Sequence, residues 1–302
     1  RGKGRTVAIL EGGAAVEYWW KAGTTDADLV EKSIAFISPF TLNGTSLTGV
    51  QSAGNTASGT NSLAIGVLTV ASGPGSFSSG GVSRAEGNNS IALGGNTLSS
   101  GISSAAFGTN TSATGDYSVA MGRSATASYY NSVAMGYYTT ASGSDSVAMG
   151  NVTTSSGSYS VAMGSGTTAS GDGSVAIGGG TTASGDGSVA MGENTSAGGS
   201  YSTAMGNTTS SSGDYSTATG YTTTASGRFS TTMGYTTTAS DYASLVIGKY
   251  NDAGSTVTSA TTFSLLNPAF VIGNGIDSLN RSDAFKVLFN GTTTVAGNVT
   301  AP

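Results

Sequence analysis

Four aspartates, Asp116, Asp172, Asp186 and Asp214, each follow a glycine that reads as a turn, and they recur at multiples of 14 residues. Carboxylates repeated in this way could hold calcium, but a calcium loop needs about six or more oxygens at fixed positions. In other copies the same position carries Tyr130, Ser144, Ser158, Ser200, Arg228 and Tyr242, so solvated turn acids are the expectation. Neither histidine nor cysteine occurs in the 302 residues. That removes the imidazole base and the thiolate nucleophile, and no carboxylate pair replaces them. The glycine-rich segments lack the lysine and the strand-loop-helix setting of a phosphate cradle. The expectation is a protein with no catalysis, no cofactor and no metal.

Aromatic and hydroxyl groups offer a different chemistry, that of surfaces. Tyr117, Tyr130, Tyr137, Tyr138, Tyr159, Tyr201, Tyr215, Tyr221, Phe229 and Tyr235 fall at turn positions rather than in one inward column. They are expected to be partly exposed, where they offer contact area at little entropic cost. They could stack on the sugar rings of a surface glycan, or cover the edges and joints between chains. Thr97, Thr111, Thr139, Thr153, Thr167, Thr181, Thr195, Thr209, Thr223 and Thr237 form a ladder interrupted at Ala125. An ice-binding face would need a second threonine two residues further on, where Ala or Ser stands, so stabilising hydroxyl ladders are expected.

These residues recur because the chain recurs. SVAMG at 118–122 returns at 132–136, 146–150, 160–164 and 188–192, with SVAIG at 174–178. Aligned on the closing glycine, the unit runs from Gly66 to Gly248 in steps of 14 residues, making 14 copies. Early copies are loose (NSLAIG at 61–66, GSFSSG at 75–80, NSIALG at 89–94), and the pattern becomes regular from 115. So short and strict a period means a stack in which each unit touches only its neighbours.

Each column of the repeat has its own character. Four residues before the closing glycine stands Ser in every copy, from Ser62 to Ser244. Three before it come Val119, Val133, Val147, Val161, Val175 and Val189, passing to Thr203, Thr217 and Thr231. One before it stand Met121, Met135, Met149, Met163, Met191, Met205 and Met233, all seven methionines of the chain, with Ile65, Ile177 and Ile247. Val-Ala-Met has a period of two, so the stretch reads as a short strand with Val and Met on one face and Ser and Ala on the other. A second glycine, such as Gly115 or Gly143, precedes the closing one by seven residues. Two glycine turns would then make each unit two short strands and two tight turns, one coil of a flat roll with parallel coils. Small residues nine before the closing glycine, such as Ala113, Ala141, Ser155, Ala169 and Ala225, are expected to meet the Ala of SVAMG inside it.

Val and Met then have nowhere to hide within one chain. Their stripe runs along a rod roughly 65 Å long at about 4.8 Å per coil. Burying one such pair recovers roughly 3 kcal/mol, and a strip of this size is too large to stay wet. Self-association with rotational symmetry about the long axis is the expected outcome. Val119, Met121, Val133, Met135, Val147, Met149, Val161, Met163, Val175, Ile177, Val189, Met191, Met205 and Met233 are the candidate interface residues.

The flanks differ. Residues 1–52 hold much of the charge and both tryptophans; RTVAIL at 5–10 and VEYWW at 16–20 read as strands around Gly12-Gly13, and 24–33 as a short helix capped by Thr25. Residues 53–248 form the repeat rod, and 249–302 read as a small β collar with hairpin turns at Asn274-Gly275 and Asn290-Gly291. A net charge of −5 argues against a nucleic-acid groove. No apolar run reaches the roughly 18 residues of a membrane span. Beginning at Arg1 rather than Met, the chain is expected to be trimmed or processed.

The S-V-A-[IM]-G unit, with Ala about five residues on and Gly two after that, resembles the head repeat of YadA-type trimeric autotransporter adhesins over about residues 53–248. That resemblance implies a left-handed parallel β-roll that trimerises side by side. Methionine is commoner here than the usual isoleucine, and the late copies carry threonine in the valine column. NPAFVIGNG at 267–275 and RSDAFKVLFNGTTTVAGNV at 281–299 resemble the collar of phage tail fibres, and VEYWWKAGTTDADLVEK at 16–32 is similar to segments of fibre-like phage proteins. The implied function is an extracellular, homotrimeric attachment fibre whose partners are a host-surface receptor, such as a glycan, and neighbouring fibre or virion proteins. A bacterial adhesin head is the second setting, and a structural spacer or ice-binding rod a third class.

Overall fold

The computed structural model describes residues 6–11, 14–20, 29–31, 40–42, 49–252 and 259–297, and the chain divides into two compact units, Arg1–Phe40 and Thr41–Pro302. In the first unit Thr6–Glu11 pairs antiparallel with Ala14–Trp20, as the alternation around Gly12-Gly13 leads one to expect. The helix expected over 24–33 is corrected at its second half: Leu29–Glu31 is a strand, with Val30 opposite Trp19 and Leu29 opposite Trp20. Backbone pairing with the neighbouring strand takes the place of a local helical cap. Thr25 and the rest of that stretch lie outside the described residues.

The second unit is a parallel β-solenoid of about 14 coils, and no helix occurs among the described residues. Each coil has two strands of unequal length, such as the five-residue Val119–Arg123 and the two-residue Thr126–Ala127. The long strands stack in unbroken register, Val119 opposite Val133 and Met121 opposite Met135. The short ones form a 14-stranded sheet of their own.

The closing glycine does not make a turn, which corrects the expectation of two glycine turns. Gly150 lies inside the strand Val147–Asn151 at φ 129°, and a Cβ there would overlap the carbonyl oxygen of Gly164 in the next coil. The corner follows at Val152, left-handed at φ 53°. Glycine is required here twice over, by φ and by the approach of backbone to backbone.

Alternation in the long strand sends alanine inward. Ala120, Ala134 and Ala148 meet Ala113, Ala127 and Ala141 of the short strands, all fully buried, so the core is about one methyl group thick per side. Where a hydroxyl replaces one of these methyls it pairs five residues away: Ser99 with Ser104, Ser155 with Ser160 and Ser211 with Ser216 at 2.6 Å, and Thr232 with Thr237 at 2.7 Å.

The threonine ladder is also interior, and it is not a hydrogen-bonded ladder. Thr97, Thr111, Thr139, Thr153, Thr167, Thr181, Thr195, Thr209 and Thr223 are buried with no partner for Oγ1. A coil spacing of about 4.8 Å holds stacked hydroxyls beyond hydrogen-bond reach. These residues contribute their methyl groups.

The repeat also has an unforeseen last copy. Within Pro268–Asn274, Phe270, Val271, Ile272 and Gly273 lie parallel on Leu245, Val246, Ile247 and Gly248. Val271 joins Val246 and Ala239 in the core. Antiparallel strands Asp283–Leu288 and Thr293–Val295 follow, joined to each other through the turn expected at Asn290-Gly291; the turn expected at Asn274-Gly275 is corrected to a longer loop, closed where the Ile276 N–H meets the Asn280 carbonyl at 2.9 Å.

Candidate functional site

The register gathers all fourteen candidate interface residues onto one face of the long-strand sheet. Val119, Val133, Val147, Val161, Val175 and Val189 make one file, half-buried throughout. Met121, Met135, Met149, Met163, Ile177, Met191 and Met205 make the next, broken at Thr219 before Met233. Met121 and Ile177 are each 38% exposed and Met233 44%, so the chain's own turns leave this seam uncovered. Valine gives way to Thr203, Thr217 and Thr231 late in the rod. Copy 67–80, which departs from the motif, still supplies Phe77 to the valine file but Ser79 to the other. Beyond the repeat, Phe270 and Ile272 extend both files, and Val287 and Phe285 lie opposite them. Phe270-Val271-Ile272-Gly273 was the signal for this, displaced from the 14-residue step by an insertion.

Aromatic residues line both corners. Tyr117, Tyr159, Tyr201, Tyr215 and Phe229 share one corner, all left-handed, with φ between 56° and 61°. Such a backbone costs an L-residue about 1–2 kcal/mol. Stacking offsets part of this, by about 0.5–1.5 kcal/mol per pair: Tyr201 lies 5.3 Å from Tyr215 with planes 13° apart, and Tyr215 lies 5.0 Å from Phe229 at 16°. Arg228 stands 4.9 Å over the Phe229 ring. The opposite corner carries Tyr137 and Tyr138, edge to face at 4.5 Å, and Tyr221 stacked on Tyr235 at 5.0 Å. A hydrogen bond with Tyr250 holds the Tyr235 phenol above its ordinary pKa. Tyr130 meets Tyr117 edge-on at 5.5 Å. All ten candidate rings are exposed, and in the stacked rows neighbouring rings cover one another's facing sides, on both faces only at Tyr215.

The turn aspartates lie at the solvated surface, as expected, and each also ties two coils together. Asp116 accepts the backbone N–H of Ile102 at 2.8 Å, Asp172 that of Ser158 at 2.9 Å, Asp186 that of Asp172 at 3.1 Å and Asp214 that of Ser200 at 3.1 Å. Corners leave amides that the strand ladders do not reach, and a carboxylate one coil on satisfies them. Asp145, next to that column, accepts from Asn131 and Ser144, and these bonds hold its carboxyl below the ordinary range. Among the described residues no three acidic side chains converge on a point where a metal could sit. No helix there is long and apolar enough to cross a membrane.

A family model described as the YadA head domain repeat matches residues 57–83, 71–97, 99–125, 127–153, 155–181, 183–209 and 211–235. No curated protein matches the chain.

Proposed function

We propose, from the premise that this chain belongs to the YadA head domain repeat family, that three copies associate along the seam into a surface-exposed attachment fibre. The repeats are those of an adhesin-like, extracellular domain, a structural rather than a catalytic class of protein. The exposed apolar seam carries the trimer reading: two files of Val, Met and Ile facing outward are stable in water only under company, and a closed threefold arrangement covers all copies equally. Residues 1–52 serve as the connector, 53–248 as the rod and 249–302 as the collar. A phage tail fibre or related virion appendage is the first setting, on the strength of the segments at 16–32, 267–275 and 281–299. The head of a bacterial autotransporter adhesin is the second. Burial of the threonine ladder speaks against ice binding by that file.

Sedimentation equilibrium tests the assembly. The wild-type rod is expected at the mass of three chains, and Met149→Lys with Met163→Lys is expected to yield single chains, each buried lysine costing several kcal/mol unless it is paired. A wild-type rod that stays a well-folded single chain sinks the reading. Binding of the purified rod to candidate host cells then separates an attachment fibre from a plain spacer, and the neighbouring genes separate virion from cell surface.

A further inference from the structure

We propose that the corner between Tyr159 and Tyr201 is a notch that docks a short, uncharged oligosaccharide, an inference that rests on the attachment reading above. Along this corner the left-handed position is filled by a side chain in most coils, but at two consecutive coils it is Gly173 and Gly187, with φ 65° and 64°. A Cβ at Gly173 would meet nothing within 4 Å, so the floor there is open. One at Gly187 would touch the Tyr201 ring at 2.7 Å, so that ring leans over Gly187 and closes the notch at one end. Tyr159 stands at the other end, 70% exposed, and Tyr201 is 60% exposed. Three coil steps separate them, about 14 Å along the rod.

Tyr159 differs from the rest of the corner. Tyr215 is sandwiched between Tyr201 and Phe229, and Tyr201 between Tyr215 and the Gly187 backbone, whereas Tyr159 has no aromatic partner among the described residues. The free face of Tyr159 beside the open backbone of Gly173 fits the apolar C–H face of a sugar ring, and tyrosine brings a hydroxyl to the rim. Asp172 and Asp186 lie beside the two glycines, each with Oδ1 engaged by a backbone N–H, at 2.9 Å and 3.1 Å. Held in place in this way, their Oδ2 atoms can accept hydrogen bonds from sugar hydroxyls. Two carboxylates without a nearby arginine or lysine in these coils repel sialylated or phosphorylated glycans, so the ligand is neutral.

The test uses the full chain with cellohexaose, maltohexaose and chitohexaose as probes and a sialylated hexasaccharide as the anionic control, read by calorimetry beside host-cell binding. Gly173→Tyr fills the notch with a residue the same corner already carries elsewhere, so the fold survives; Tyr159→Ala opens one end. Binding of at least one neutral hexaose, weakened about tenfold or more by each variant at unchanged melting temperature and mass, supports the notch. Preference for the sialylated control overturns it. Wild-type rod that binds cells while both variants bind hexaose and cells equally well overturns the notch and leaves the attachment reading standing. So does cell binding with no hexaose bound. Failure to bind cells or sugars removes both.

Discussion

At the scale of single residues, the rod's interior has no room to spare and its polar atoms are unevenly satisfied. Ser155 pairs with Ser160, which itself reaches the Gly157 carbonyl at 2.6 Å, while Thr153 beside them keeps a buried Oγ1 with no partner. A buried hydroxyl without a partner costs about 1–3 kcal/mol, and an apolar isostere removes that cost. Thr153→Val is therefore expected to stabilise the rod by about 1 kcal/mol in chemical denaturation. A loss of stability would mean that the hydroxyl is bonded after all. The sequence identified the threonine column but could not place it: corner geometry decides which of two adjacent columns, Thr153 or Thr154, points inward, and the corner is made by left-handed Val152 rather than by the glycine the eye picks out. The aspartate bonds were hidden for the same reason, since Asp172 meets an amide one coil away.

At the scale of the element, the coil is the unit of folding, and its legibility came from periodicity. Ser-Val-Ala-Met-Gly carries inside and outside in its alternation, and fourteen aligned copies leave the register no freedom. What escaped were elements set by distant partners. Leu29–Glu31 is a strand because Ala14–Trp20 lies beside it, and the Phe270–Gly273 copy follows an insertion that breaks the count. Of the surface candidates, exposure of the tyrosines could be read from their turn positions, but the stacking of Tyr201, Tyr215 and Phe229, and of Tyr221 on Tyr235, could not. Since each coil contacts only its neighbours, excising residues 151–164 is expected to leave a folded rod whose melting temperature falls by no more than a few degrees. Excising 151–157 places long-strand residues on short-strand positions and is expected to abolish cooperative melting by circular dichroism. Equal tolerance of both deletions would contradict the coil as the unit.

At the scale of the whole molecule, a solenoid is weakest at its ends, where the last coil lacks a neighbour. The C-terminal end is covered by Pro268–Asn274 and Asp283–Leu288, and Asp283 sits half-buried in that cover. Burial pushes its carboxyl above the ordinary value, outweighing the N–H of Asp252 at 2.9 Å and the charge of Lys286. The folded state thus holds this proton to higher pH than the unfolded chain does. Its contribution is fully present below the ordinary carboxylate range and is lost as pH rises through the folded value. Asp283→Asn is accordingly expected to raise the melting temperature at neutral pH and to change little in acid, an Asn oxygen still accepting from Asp252. A greater gain in acid than at neutral pH would reverse the assignment.

The bonds between coils, such as Val147 N–H to the Ser160 carbonyl at 2.9 Å and Thr154 N–H to the Thr167 carbonyl at 2.9 Å, point along the rod's length. A pull on the two ends therefore loads them one rung at a time instead of shearing many together. Each coil that lets go surrenders roughly 45 Å of slack in exchange for about 4.8 Å of rod. A particle or cell tethered through this protein would thus be held by a shock absorber that yields stepwise under tension and rewinds when the load is gone.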